Sequence, residues 1–313
     1  MLRQTMLTYL IVILDDTSVS YCHYDCKKID RKLIGLDDLK NGIFFAMKEN
    51  LNIQFVYPNY VLPEEYREVI ESIDHTKIGP STCGENLDVI VVDNLDFDAD
   101  KSKNYVWRCT INELSEDVSK VIKLLPKIQR MNIVLTDILD WKEEAFVCYQ
   151  GILARMVEKV AEYYSRNVLA QVNLLTDRLM IDKMNNCNAG DTSITLAPDG
   201  KFYICPAYYG KQNVGTPKDG LFIANQQLYR IDHAPICRKC DAFQCKRCIW
   251  MNETSTLDCN TPSHEQCVVA HLERRASCQL NKFLETKGVA IENSYPLEEV
   301  NYLDPFNILN KWK

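Results

Sequence analysis

The sequence predicts an α/β fold. A parallel sheet or incomplete barrel is expected over residues 1–183, an irregular cysteine-rich module over 184–290 and a tail over 291–313. Three observations lead there. Strand-like runs alternate with longer helix-like runs up to about residue 175, the pattern of strands joined by crossover helices. Several of the strand runs are apolar throughout, as strands covered on both faces are. Eight of the fourteen cysteines then crowd between Cys187 and Cys267, where the alternation has stopped.

Taken in order, residues 7–14 read as a buried strand ending at Asp15-Asp16. The run is short for a secretory segment and no small-residue cleavage site follows it. Residues 36–50 read as a helix and 53–57 as a strand closed by Pro58. Pro63-Glu64-Glu65 opens a helix to about Ile73, with proline as the first helical residue. Residues 89–92 and 106–110 read as strands, 113–125 as a helix stopped by Pro126, and 133–135 as a strand. Phe146, Tyr149, Leu153, Met156, Val160 and Tyr163 keep helical spacing in a long helix, 141–164. Residues 169–175 complete the series as a sixth strand. Past the boundary, 193–196 and 202–204 flank Pro198-Asp199-Gly200 and read as a hairpin whose glycine takes positive φ. Ser263 with Gln266 makes a capping box for a last helix, ended by Gly288.

Composition narrows the function. The net charge of −7 and pI near 5.4 give no surface for nucleic acid or an anionic membrane. No run approaches the ~20 apolar residues of a membrane span. A cytoplasmic protein is expected, in which disulfides are rare. There is no phosphate-binding glycine loop, no Gly-x-Ser-x-Gly and no zinc-protease histidine pair. Asp96-x-Asp98-x-Asp100 has Lys101 and Trp107 where a calcium loop needs glycine and glutamate, and reads as a solvated loop.

The cysteines carry the chemistry. Cys237-x2-Cys240-x4-Cys245-x2-Cys248 packs four thiols into twelve residues. Each Cys-x-x-Cys turn brings two sulfurs to one side, where they hold a metal centre. Iron–sulfur, zinc or inert thiols all remain open on spacing alone, although four residues between knuckles is cramped for a zinc ribbon. Cys187-x12-Gly200-x4-Cys205 spans the hairpin, so those two thiols are expected near each other. Cys267 falls in the first turn of the last helix, where the dipole favours a thiolate; Cys259 sits in a polar loop. Cys83, Cys109, Cys148 and Cys278 read as small hydrophobes, and His75, His233, His264 and His271 as surface or helix histidines.

This cysteine pattern resembles the SPASM domain, the auxiliary iron–sulfur module of radical S-adenosylmethionine peptide maturases. Its last two gaps in the quartet are each one residue shorter than usual. The resemblance implies one [4Fe–4S] cluster on Cys237, Cys240, Cys245 and Cys267. It implies a second on Cys187, Cys205 and Cys248. Asp15-Asp16-Thr17-Ser18-Val19-Ser20, Asn185-Asn186-Cys187-Asn188-Ala189-Gly190 and the stretch from Gln266 to Arg274 resemble, more narrowly, the CXXX repeat peptide maturases. That implies maturation of a ribosomally made cysteine-repeat peptide, by the chain itself or with a partner modification enzyme.

The radical S-adenosylmethionine loop of that family, Cys-x3-Cys-x2-Cys, is matched here by Cys22 and Cys26, while Ile29 stands at the third position. Isoleucine cannot ligate iron, and the Gly-Gly-Glu/Asp-Pro stretch after the second strand is replaced by Val56-Tyr57-Pro58-Asn59-Tyr60. Turnover of S-adenosylmethionine by the chain alone is therefore not expected. Two readings follow: a peptide-modifying iron–sulfur enzyme, or a non-catalytic iron–sulfur or zinc protein that presents a peptide to a partner.

Overall fold

The N-terminal apolar run folds as β1, Tyr9–Ile13. The structure, a computed structural model, describes residues 7–25, 31–184, 186–291 and 294–297. The expected tail lies almost wholly outside them. The chain forms two compact units. One holds Met1–Val92 with Cys187–Ala234, the other Asp93–Asn186 with Pro235–Lys313.

In the first unit β1 pairs in parallel with β2, Asn52–Val56, and with β7, Ser193–Leu196. β3, His75–Pro80, and β4, Val89–Val92, extend the sheet on one side, and antiparallel β8, Phe202–Tyr203, on the other. The order is β4-β3-β2-β1-β7-β8. Leu10 stands opposite Ile53 and Ile194, and Val12 opposite Phe55 and Leu196. In-register parallel neighbours share a face, so these side chains form one apolar layer, none more than 4% exposed. Helix α1, Leu36–Glu49, packs against it. Gly42 allows the approach, since a Cβ there would stand 2.3 Å from Leu196 Cδ2. Phe45 meets Phe202 with ring centroids 4.8 Å apart. The helix ends at Asn50, whose φ of 55° turns its N–H back to the Ala46 and Met47 carbonyls.

Helix α2, Glu64–Ile70, is shorter than expected, and Pro63 is its N-cap rather than its first helical residue. β3 was not anticipated. Its sequence, His-Thr-Lys-Ile-Gly-Pro, has no apolar run, and only its neighbours β2 and β4 make it a strand. Lys77 is tolerated there at 9% exposure because it pairs with Glu71 and, at 3.0 Å, with Glu85.

In the second unit β5, Asn104–Cys109, pairs in parallel with β6, Arg130–Leu135, and α3, Ile111–Leu124, joins them. α3 starts earlier than the apolar pattern suggests because Thr110 caps it. The Thr110 hydroxyl accepts from Glu113 N–H, and the Glu113 carboxylate accepts from Thr110 N–H at 2.7 Å. α4, Glu143–Ser165, packs on α3 and on α6, His264–Thr286. A short α5, Ile249–Thr256, precedes α6.

The expected strand at 169–175 does not form. Val172 makes one isolated parallel bridge to Met131. Beyond it the Asn173 side chain takes the place of a strand. Its Oδ1 accepts from Ile133 N–H and its Nδ2 donates to Ile133 C=O, both at 2.8 Å. The chain turns away as Thr176 Oγ1 accepts from Val172 N–H at 3.0 Å. Parallel strands alternating with helices, as predicted, are otherwise found in both units.

Candidate metal centre

At the carboxyl end of β1 in the first unit, Asp15 and Asp16 are buried. Asp15 Oδ1 accepts from Thr17 N–H at 2.8 Å and Oδ2 from the Tyr60 phenol at 2.9 Å. Asp16 accepts from the Tyr209 phenol at 2.7 Å. Burial, with the Asp16 carboxylate beside it, pushes the Tyr209 phenol well up, so it stays a donor. Cys22 follows in a bend and is half-buried. Cys26 and Ile29 lie outside the described residues.

The predicted hairpin is present as β7 and β8, with Gly200 at φ 77° in the turn. Asp38 is close enough that a Cβ on Gly200 would meet its carboxylate at 2.7 Å. Cys187, before β7, is exposed, and Cys205, after β8, is half-buried. Both belong to the first unit, and the quartet and Cys267 to the second.

The quartet is built from two tight turns. Cys240 N–H donates to Cys237 C=O at 3.0 Å, and Ala242 N–H then donates to Cys240 Sγ at 3.4 Å. Cys245 N–H donates to Ala242 C=O at 2.9 Å, and Arg247 N–H to Cys245 Sγ at 3.4 Å. Arg247 takes φ 41° to do so. Cys248 is the N-cap of α5. Each knuckle thus aims a backbone N–H at a sulfur two residues earlier, an arrangement that stabilises a thiolate more than a neutral thiol. Burial pushes the Cys237 thiol up to about 11 and the Cys245 thiol up to about 12. Without a metal both are protonated at neutral pH, so metal uptake there displaces protons.

Helix α6 holds this loop. Ser263 caps it, its hydroxyl accepting from Gln266 N–H at 3.2 Å. Only half of the expected capping box forms, because the Gln266 amide donates to Asn252 Oδ1 at 3.1 Å instead of to the cap backbone. Cys267 lies in the first turn, as predicted. One turn on, His271 is 5% exposed, with Nε2 3.6 Å from Cys240 Sγ. Arg274 Nε donates to Asp241 Oδ2 at 2.8 Å, and the Gln244 amide to Ala270 C=O at 2.5 Å. From below, Arg178 Nε donates to Asp241 C=O at 2.9 Å, its guanidinium 4.2 Å from the Phe243 ring centroid.

The sequence alone places His271 with the surface and helix histidines; it marks Arg274 only within the stretch from Gln266 and gives no role to Asp241 or Gln244. The spacing Cys267, His271, Arg274 does mark one helix face. Among the described residues no three side chains already stand as a metal-binding group. The donors nevertheless fit an iron–sulfur group. They are thiols, two of them already accept backbone N–H bonds, and none of the described cysteines is tied up in a disulfide.

No protein-family model matches the chain, and no curated protein matches it in sequence. Solved structures do. His-tagged anSMEcpe with bound AdoMet matches at TM-score 0.64 and 13% identity, covering 91% of this chain and 96% of that one. Native anSMEcpe with bound AdoMet and Kp18Cys peptide matches at TM-score 0.61 and 12% identity, covering 90% and 99%. This chain has the anSMEcpe fold. Streptococcus suis SuiB bound to precursor peptide SuiA matches at TM-score 0.45 and 13% identity, over 82% of this chain and 75% of that one. As in anSMEcpe, the fold runs through nearly the whole chain, so the α/β architecture read from the sequence stands.

One half-buried acid lies beside the loop. Burial raises the Glu273 carboxyl from 4.5 to about 7, against the pull of the Tyr149 phenol, which donates to it at 2.7 Å. Because the folded value lies above the unfolded one, the stability it contributes is present below about 4.5 and is lost as pH rises through about 7. Glu273→Gln keeps an acceptor for Tyr149 and cannot ionise. Its thermal midpoint is expected to exceed the wild type's by roughly 5 °C at pH 8 and to match it at about pH 4. Equal differences at the two pH values would contradict this.

Proposed function

We propose that this chain is an iron–sulfur protein of the radical S-adenosylmethionine/SPASM type that acts in the maturation of a ribosomally made cysteine-repeat peptide. The observation that carries the reading is the Cys237–Cys248 loop, with its two N–H···S turns, held against the helix that bears Cys267. Cys237, Cys240, Cys245 and Cys267 lie in one compact unit and are the ligands of a [4Fe–4S] cluster. Cys187, Cys205 and Cys248 are the candidates for a second. The fold supports the class, since anSMEcpe binds AdoMet and a peptide. No helix is long and apolar enough to cross a membrane among the described residues. A cytoplasmic setting suits a protein that must keep its thiols reduced.

When bound, such clusters supply single-electron transfer and a thiolate-rich docking point. The chain's residues do the holding: backbone N–H groups of Ala242 and Arg247 stabilise sulfur charge, and Arg274, Arg178 and Gln244 fix the loop. The second reading, a peptide-presenting protein without turnover of its own, is favoured by Ile29. Product analysis separates the two. Anaerobically purified, reduced protein given S-adenosylmethionine is expected to form little or no 5′-deoxyadenosine while still binding a cysteine-repeat peptide. Ile29→Cys restores the ligand count and should recover turnover in part. Turnover by wild type that Cys22→Ser abolishes would establish the enzyme reading instead. Failure to bind the peptide would sink both.

A further inference from the structure

We propose that His271 is a positioning residue of the metal centre, whose imidazole N–H donates to the Cys240 sulfur and stabilises it as a thiolate ligand. This rests on the iron–sulfur reading of the loop above. The contact is Nε2 to Sγ at 3.6 Å, with His271 only 5% exposed. Cys240 already accepts from Ala242 N–H at 3.4 Å, so the sulfur lies between a backbone donor and an imidazole. The imidazole is held in place by its neighbours on α6. Ala270, just before it, takes the Gln244 amide at 2.5 Å, and Arg274, one turn later, takes the Asp241 carboxylate at 2.8 Å. Both partners belong to the Cys237–Cys248 loop, so the loop cannot slide along α6 without breaking two contacts that flank His271.

A donor role follows from the ligand count. Cys237, Cys240, Cys245 and Cys267 complete a four-thiolate set, and a fifth ligand has no iron left to bind. A thiolate is a charged acceptor, and hydrogen bonds to charged acceptors are the stronger ones. Reduction by a low-potential donor such as dithionite adds one electron to the cluster and more negative charge to its sulfurs. The N–H bond therefore favours the reduced form. Removing partners of this kind typically costs about 10- to 100-fold in metal affinity or activity.

The test compares wild type, His271→Gln and His271→Leu, purified without oxygen. Iron and sulfide are counted, and the cluster is titrated with dithionite under paramagnetic resonance. At the wild-type midpoint potential, the ratio of reduced to oxidised cluster is expected to fall about tenfold in His271→Leu. It should be nearly unchanged in His271→Gln, whose amide still donates. Loss of iron from the leucine variant alone supports the proposal, since a donor is then needed to hold Cys240. Identical midpoints overturn it. Loss of iron from both variants also overturns it, because His271 would then be a ligand. Wild-type protein with ¹⁵N-labelled histidine gives an answer independent of any variant: a weak nitrogen coupling is expected, and the strong coupling of a directly bound nitrogen refutes the donor role. Should wild type take up zinc without sulfide, the iron–sulfur reading fails by itself. His271 is then judged on cobalt(II)-loaded protein, where only the leucine variant's thiolate-to-cobalt band should move to lower energy, and three coincident bands overturn the proposal.

Discussion

Cys240→Ser is expected to strip the protein of iron and to leave little of it soluble. The second unit's loop from Cys237 to Cys248 has few apolar anchors, and its fold is a string of turns, two of whose bonds end on sulfur. Structural metal sites contribute on the order of 10 kcal/mol, comparable with the whole stability of a domain, about 5–15 kcal/mol. Serine keeps the shape but offers no soft ligand. Cys267→Ser should behave in the same way, and Cys259→Ser and Cys278→Ser should keep their iron. Iron and sulfide per chain, measured beside zinc, decide the matter. Stoichiometric zinc with no sulfide after anaerobic reconstitution would refute the cluster. Iron lost from Cys259→Ser but kept by Cys267→Ser would move the last ligand to the loop before α6.

The second large effect is predicted for Arg274→Leu. Asp241 has a side chain 1% exposed, and Arg274 supplies its ion pair at 2.8 Å. Removing one partner of a buried pair leaves an uncompensated charge, which costs about 3–5 kcal/mol. Asp241 is adjacent to Cys240, so the loss is expected to lower iron content as well as the unfolding midpoint. Replacing both partners, Asp241→Leu with Arg274→Met, should recover most of the stability, because two apolar groups leave no buried charge. A double variant as unstable as Arg274→Leu alone would show that the pair matters through shape rather than charge.

The sequence was most legible where one residue type decides the local structure. Val89–Val92 is apolar on both faces and is a strand under any partner. Gly200 and Ser263 mark a turn and a helix start by their own chemistry. It was least legible where distant groups decide. β3 is a strand because β2 and β4 flank it, and its lysine is acceptable only because Glu71 and Glu85 reach it. Residues 169–175 look like a strand, but the Asn173 amide competes for the same partner on β6 and wins. Gln266 has the right position for a capping box, yet Asn252 offers its amide another partner. His271 could not be told from a surface histidine, since its burial depends on a loop that precedes it by a full helix and two turns. The spacing of the quartet could be read directly from the sequence, and the two N–H···S turns are built on it.

The pairing of β1 with β7 also has a bearing on how the protein is made. Tyr9 leaves the ribosome well before its partner Ser193. Until then one side of β1 has no strand to pair with, and an open strand edge is an aggregation hazard. The contact is strongly non-local, and such contacts close late. The hairpin between Cys187 and Cys205 is thus the piece that completes the sheet of the first unit. Chains released before about residue 205 would carry an exposed hydrophobic edge, and a chaperone that binds nascent chains would find its longest-lived target there.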